Sequence, residues 1–383
     1  LTTTPRQRIV LRREMARQPE GSPVQRALLE EYEYDAIETC ATDGSCQLAC
    51  PLGIDTGRLV KELRHERHGE RAERAALAAA KRWGAVEKAS RLALKVGGPL
   101  VRRTERGKGL PGPAAGGGAG DPLRAHLANG SMLSARRGSP APPAEAAAVY
   151  VPSCTNRIFD GNPVEALVAV SARAGAPVWV PDDVAGSCCG LPWSSKGFEA
   201  AHRHKANEMV EKLWRWSGEG ALPVVIDAAS CTGAVADPAE GVLSEENAER
   251  LSRMEIVDSV AWALRLLPDL EVVEKVAAAT AHPTCATRRL GLAPALRTLA
   301  EALAEDVYVA PSATCCAFAG DRGITHPELT ASATRPQAEQ LAGRRFDAHL
   351  SNNRTCEIAM TRATGEPYES VVCLLERLSR SSG

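Results

Sequence analysis

The feature that most restricts what this chain can fold into is an internal duplication of about 115 residues in its second half. Each copy follows one order: a β-branched run and a cysteine, a second run and a vicinal cysteine pair, a third run and a last cysteine. In the first copy Val149-Tyr150-Val151 leads to Cys154, Val178-Trp179-Val180 to Cys188-Cys189, and Val224-Val225-Ile226 to Cys231. In the second, Ala277–Ala281 leads to Cys285, Val307-Tyr308-Val309 to Cys315-Cys316, and Asp347-Ala348-His349-Leu350 to Cys356. Helical stretches fall between the runs, at 163–174 and 199–216 in the first copy and at 288–304 and 328–342 in the second. Strands alternating with helices predict α/β units built on a parallel sheet. Cysteines just past the strands belong at the carboxyl edge, where such sheets hold ligands.

The spacings are C-x33-C-C-x41-C and C-x29-C-C-x39-C. Adjacent cysteines on an extended strand would point to opposite faces, so a vicinal pair can serve one object only at a turn. Both pairs sit after a strand and before a helix, where free N–H groups at the helix start favour the thiolate form. Eight cysteines recurring in one order predict metal ligands. Zinc is one candidate metal, but structural zinc sites favour close C-x2-4-C pairs, which neither copy contains; iron–sulfur ligation fits better. Cys373 stands apart, on an apolar face with Val371, Leu374 and Leu375, and reads as a buried small hydrophobe. His202, His204, His282 and His326 are candidates for ligands or proton carriers, but the expected place of each is the surface or a helix cap.

A second cysteine motif lies upstream, Cys40-Ala-Thr-Asp-Gly-Ser-Cys46-Gln-Leu-Ala-Cys50-Pro51. Its end, C-x3-C-P, is the close of bacterial ferredoxin runs. Its start is C-x5-C, with Asp43 where a middle cysteine would stand. The motif therefore supplies three thiolates, and Asp43 is a candidate oxygen ligand or a turn residue before Gly44. Residues 1–35 predict two short helices, and 51–96, rich in Ala, Leu, Lys, Glu and Arg, predict more. The expected fold is thus α + α/β: a helical ferredoxin-like iron–sulfur domain at 1–96, a Gly/Pro/Ala-rich linker at 97–147, and cysteine-rich repeats at 148–270 and 271–383.

Composition narrows the functions. A net charge of −1 excludes nucleic acid as a main partner. Twelve cysteines in 383 residues is too sparse for a disulfide scaffold. With no signal-peptide pattern, a reducing cytoplasmic compartment is expected, and peripheral contact with the inner face of a membrane is compatible with it. There is no Ser-His-Asp arrangement, paired-carboxylate signature, Walker motif or dinucleotide fingerprint, so no catalytic residue is assigned. The chain has redox ligands and no evident substrate chemistry.

Cys188-Cys189-Gly190 and the repeats around it resemble the CCG cysteine-rich domains of heterodisulfide reductase subunits, glycolate oxidase iron–sulfur subunits and lactate-utilisation proteins. Further segments resemble the C-terminal half of FAD-linked oxidases of the cytochrome-type D-lactate dehydrogenase kind. They are residues 4–10, 39–57 and 188–193, together with Ala319-Gly320-Asp321-Arg322-Gly323 and Asn353-Arg354-Thr355-Cys356-Glu357. That resemblance implies iron–sulfur clusters, 4Fe-4S in type, on Cys40, Cys46, Cys50, Cys154, Cys188, Cys189, Cys231, Cys285, Cys315, Cys316 and Cys356. It also implies FAD on a preceding half or a partner subunit, oxidation of D-lactate or a related 2-hydroxy acid, and a cytochrome or quinone acceptor. Together with the start at Leu1, it leads to the expectation of an N-terminally truncated chain in which Cys50 serves a cluster whose other ligands are missing. A stand-alone iron–sulfur subunit of a glycolate oxidase or heterodisulfide reductase-like complex is the alternative, and a zinc-held scaffold a second. The chain departs from the fullest CCG pattern at Ala234 and Ala359, where a further cysteine would stand, and at Ala317, which replaces the glycine.

Overall fold

The computed structural model describes residues 2–101, 142–159 and 162–380. The expected linker falls mostly outside them, and its residues Gly98–Val101 form a helical turn. The first hundred residues are helical. Thr4 and Gln7 form a capping box with Pro5 in the first turn of helix Pro5–Arg17, and Ser22 caps Pro23–Tyr32 by accepting from the Gln25 N–H. A π-helical turn, Glu33–Glu38, leads into the cysteine motif, followed by helices Ser45–Ala49, Thr56–Glu66, Glu70–Lys81 and Trp83–Val96. Met15, Tyr32, Ala36, Ile37, Val60 and Leu63 form a small core here, and Cys40 is part of it.

Each repeat is a four-stranded parallel sheet. In the first, β1 (Ala148–Val151), β2 (Val178–Trp179), β3 (Val224–Ile226) and β4 (Ile256–Asp258) lie in the order β2-β1-β3-β4. In the second, β5 (Val276–Ala281), β6 (Ala304–Tyr308), β7 (Ala348–Ser351) and β8 (Tyr368–Ser370) lie in the order β6-β5-β7-β8. The reading of three runs per copy missed β4 and β8. Three residues are too few for a periodic signal, and Tyr-Glu-Ser is not apolar; their pairing with β3 and β7 makes them strands. The helix expected at 288–304 is two, Cys285–Arg289 and Ala293–Leu303, broken at Gly291 with φ +69°. The strand order switches sides between β1 and β3, and between β5 and β7, so each parallel sheet opens a crevice where the cysteines emerge.

The repeats share one core across a pseudo-dyad. Helix Pro163–Arg173 packs on Val371–Leu378, and its counterpart Ala293–Leu303 packs on Ser259–Leu266. Trp262 lies in that seam and donates from its indole to Ser171 Oγ at 2.9 Å. Cys373 packs in the same core, as expected of a small hydrophobe. Helix Glu70–Lys81 lies along Glu199–Trp216, fastening the helical segment to the first repeat. Among the described residues no helix is long and apolar enough to cross a membrane.

Candidate metal centre

In the first repeat the four cysteines follow three different strands. Ser153 caps a short helix that begins at Cys154, immediately after β1. Cys188-Cys189 follows β2 in a loop that ends at Gly190, with φ +84°; a Cβ there would lie 3.0 Å from the His202 ring. Cys231 sits in helix Ala229–Ala236 after β3. Cys188 is hydrogen-bonded to Cys154, and Cys189 lies 3.4 Å from Cys231, so the vicinal pair joins two halves of one sulfur chain. These four cysteines line a cavity with Val151, Ile226 and Val235. Ala80 and Trp193 pack against Cys154 and Cys188, with Trp83 beside them; the two indoles meet edge to face at 5.0 Å.

Loop and helix N–H groups do not make these sulfurs thiolates in the free protein. The bond to Cys188 and burial push the Cys154 thiol well up. Cys188 is lowered by its bond from Cys154, but Cys189 and burial outweigh this, and the net direction is up. In an apolar pocket four thiols stay protonated until a cation compensates the charge.

The second repeat repeats the arrangement. Thr284 caps a helix beginning at Cys285, which is bonded to Cys315, and Cys316 Sγ lies 3.0 Å from Cys356 Sγ. Ala317 stands where the first repeat has Gly190 and takes the same left-handed backbone, φ +53°. Its N–H donates to Cys315 Sγ at 3.3 Å, as the Gly190 N–H does to Cys188. Such N–H···S bonds tune a bound centre. Here one thiol is acidic: the bond from Cys356, with help from His282 and the Phe318 N–H, holds Cys316 down to about 5. His282, expected at the surface, is buried. It follows β5 directly, and its ring nitrogen, Cys316 Sγ and Cys356 Sγ all lie within 4.8 Å of one another.

The upstream motif is arranged differently. Cys40 is buried in the helical core, Cys46 Sγ lies 3.4 Å from Asp55 Oδ1, and half-buried Cys50 receives N–H groups of Ile54 and Leu52, which lower its pKa. Among the described residues, no group of three donors within single-ion reach includes any of the three. Asp43, weighed as an oxygen ligand beside Cys40 and Cys46, instead lies within 4.8 Å of Cys285 and Cys315. The cause is local. Asp43 accepts from the Ser45 N–H and hydroxyl at the start of helix Ser45–Ala49, and Gly44, with φ +74°, lies against the Arg289 side chain. The loop is thereby turned toward the second repeat.

The run Gly320-Asp321-Arg322-Gly323 is a junction. Arg322 donates to the Cys40 carbonyl, which also accepts from Arg64 at 2.8 Å, and Asp321 pairs with Lys196 at 2.6 Å. A Cβ on Gly323 would fall 2.3 Å from the Phe318 ring. On the opposite side, buried Glu87 binds Arg157 at 2.7 and 3.1 Å and accepts from the Gly186 N–H at 3.1 Å. No motif announced that pair.

Two tandem parallel-sheet repeats, each presenting four thiols at its crevice, define a duplicated cysteine-rich α/β protein. Residues 148–236 and 279–361 each match the family model of the CCG cysteine-rich domain, one match per repeat. The donor set of each repeat fits an iron–sulfur group: four thiols, apolar walls and N–H groups already directed at sulfur. His282 Nε2, buried with no nitrogen or oxygen partner, adds a donor with nothing else to bind. The four cysteines of the first repeat line one cavity, and those of the second lie as the pairs Cys285–Cys315 and Cys316–Cys356, whereas Cys40, Cys46 and Cys50 share no such arrangement among the described residues.

Proposed function

We propose that this chain is the iron–sulfur electron-transfer portion of a flavin-linked oxidoreductase. It would serve the oxidation of D-lactate or a related 2-hydroxy acid and pass electrons to a cytochrome or quinone. The observation that carries the reading is the relation of the two thiol groups. Helix Ala229–Ala236, which carries Cys231, packs on the helix that starts at Cys285; the helix carrying Cys356 packs on the one that starts at Cys154. Two centres held there lie on either side of these two helix contacts, a suitable arrangement for passing electrons between them. A bound cluster supplies one-electron transfer. The cysteines hold it, Gly190 and Ala317 N–H groups stabilise sulfur charge, and Trp83 and Trp193 keep water from the first site.

A flavin domain or subunit is the donor this reading requires, since the chain has no dinucleotide fingerprint. The test is kinetic. Protein reconstituted anaerobically with iron and sulfide is mixed with chemically reduced flavin and then with a soluble quinone analogue or cytochrome c. Bleaching of the cluster absorbance by the flavin, and its recovery with the acceptor, support the proposal. Failure of reduced flavin to bleach it contradicts the proposal. A zinc-held scaffold is favoured by one observation, the single-ion spacing of His282, Cys316 and Cys356. Zinc-loaded protein would show no visible chromophore and no electron uptake.

A further inference from the structure

The duplication lets one repeat serve as the control for the other. At the end of β1 the chain reads Val151-Pro152-Ser153-Cys154, and at the end of β5 it reads His282-Pro283-Thr284-Cys285. Ser153 and Thr284 cap the matching helices, so Val151 and His282 hold one position in two copies. Val151 is buried against its repeat's cysteines, an apolar wall and nothing more. His282 is 1% exposed, and an imidazole in a valine's place loses its hydration unless both nitrogens find partners. Only one does so among nitrogen and oxygen atoms. Nδ1 lies 2.7 Å from Gln337 Oε1; with the ring proton on Nδ1 and donated to that oxygen, Nε2 has its lone pair free for a metal. Nε2 has no hydrogen-bond partner, and a nitrogen of this ring lies within 4.8 Å of Cys316 Sγ and Cys356 Sγ. A histidine whose far nitrogen is fixed by a hydrogen bond while the near one meets thiols has the arrangement of a metal ligand with its orienting group.

We propose that His282 Nε2 is a metal ligand of the second repeat's centre, which with Cys316 and Cys356 makes that centre a mixed nitrogen–sulfur iron site, whereas the first repeat's is thiolate only. This rests on the iron–sulfur reading above. The two centres then differ in kind. Imidazole is neutral where thiolate is anionic, so putting a thiolate in place of the imidazole lowers the potential of such a centre. Gln337 is a positioning residue, holding the ring from helix Pro327–Leu341.

The test uses the reconstituted chain with 15N confined to histidine, reduced and examined by pulsed electron paramagnetic resonance. The expected result is a strongly coupled histidine nitrogen that disappears in His282→Val, the residue the first repeat carries, while the first repeat's signal persists. His282→Cys, which returns a thiolate, keeps its iron, loses the nitrogen coupling and shifts one midpoint potential downward. That variant decides the matter if the valine protein does not fold. Iron-loaded wild type without histidine coupling, or coupling unchanged in either variant, overturns the proposal and leaves the electron-relay reading standing. Wild type that takes up no iron overturns both.

Discussion

Removing the carboxylate at Glu87 tests whether the helical segment is a structural part of the first site. Glu87→Ala deletes two charge-assisted bonds to Arg157 and one from the Gly186 N–H. The Arg157 and Glu87 side chains are only 6% and 4% exposed, so solvent screens the pair little. Breaking such a pair from one side costs about 3–5 kcal/mol, chiefly because the remaining charge stays buried. Arg157 keeps the Pro152 and Ser187 carbonyls, which places the expected loss near the lower end, about 3 kcal/mol. Replacing both residues by methionine removes the stranded charge, so Glu87→Met/Arg157→Met should recover most of that loss. Urea unfolding of the reduced protein gives the energies, and amide exchange over residues 83–96 and 153–158 locates them. A loss below about 1 kcal/mol in Glu87→Ala, or no recovery in the double variant, would refute the reasoning.

Ala317 holds a left-handed backbone that glycine adopts without strain, so Ala317→Gly should stabilise the protein by about 1 kcal/mol in thermal or urea unfolding. Gly190→Ala should destabilise it by more, because the added methyl also meets His202. Arg322→Ala, which removes the bond to the Cys40 carbonyl, should speed amide exchange across 40–46 and cost about 1–3 kcal/mol. Burial raises Asp258 from its ordinary 3.8 to about 6. A raised carboxyl pKa means the folded state holds its proton longer than the unfolded one. Its stabilising contribution is present below 3.8 and is lost as pH climbs through about 6, amounting to about 3 kcal/mol. Asp258→Asn should flatten that pH dependence, as read from unfolding at stepped pH.

What could be read from residues alone was whatever repeats or has a period. Val149-Tyr150-Val151 and Val224-Val225-Ile226 are β-branched or aromatic enough to declare strands, and helix 199–216 was read to its bounds because its alternation runs for five turns. β4 and β8 carry no such signal, since their strand character comes from pairing. The placing of the cysteines past successive strands in each repeat was legible because duplicated order implies duplicated geometry. The destination of Asp43 was not, because it depends on how the loop meets Arg289, some 245 residues away in sequence. His282 was judged by the usual fate of a lone histidine; laying the copies side by side, with valine in its place, was the signal that could have found it. Glu87 and Arg157 belong to no motif, and only the docked helices bring them together.

The measurement that bears most directly on the account is analysis of anaerobically purified protein for iron, acid-labile sulfide and zinc, alongside its visible spectrum. The account predicts brown protein with iron and sulfide in comparable amounts, lost from the repeats when Cys189 and Cys316 are replaced together by serine. Colourless protein carrying zinc and no sulfide would contradict it.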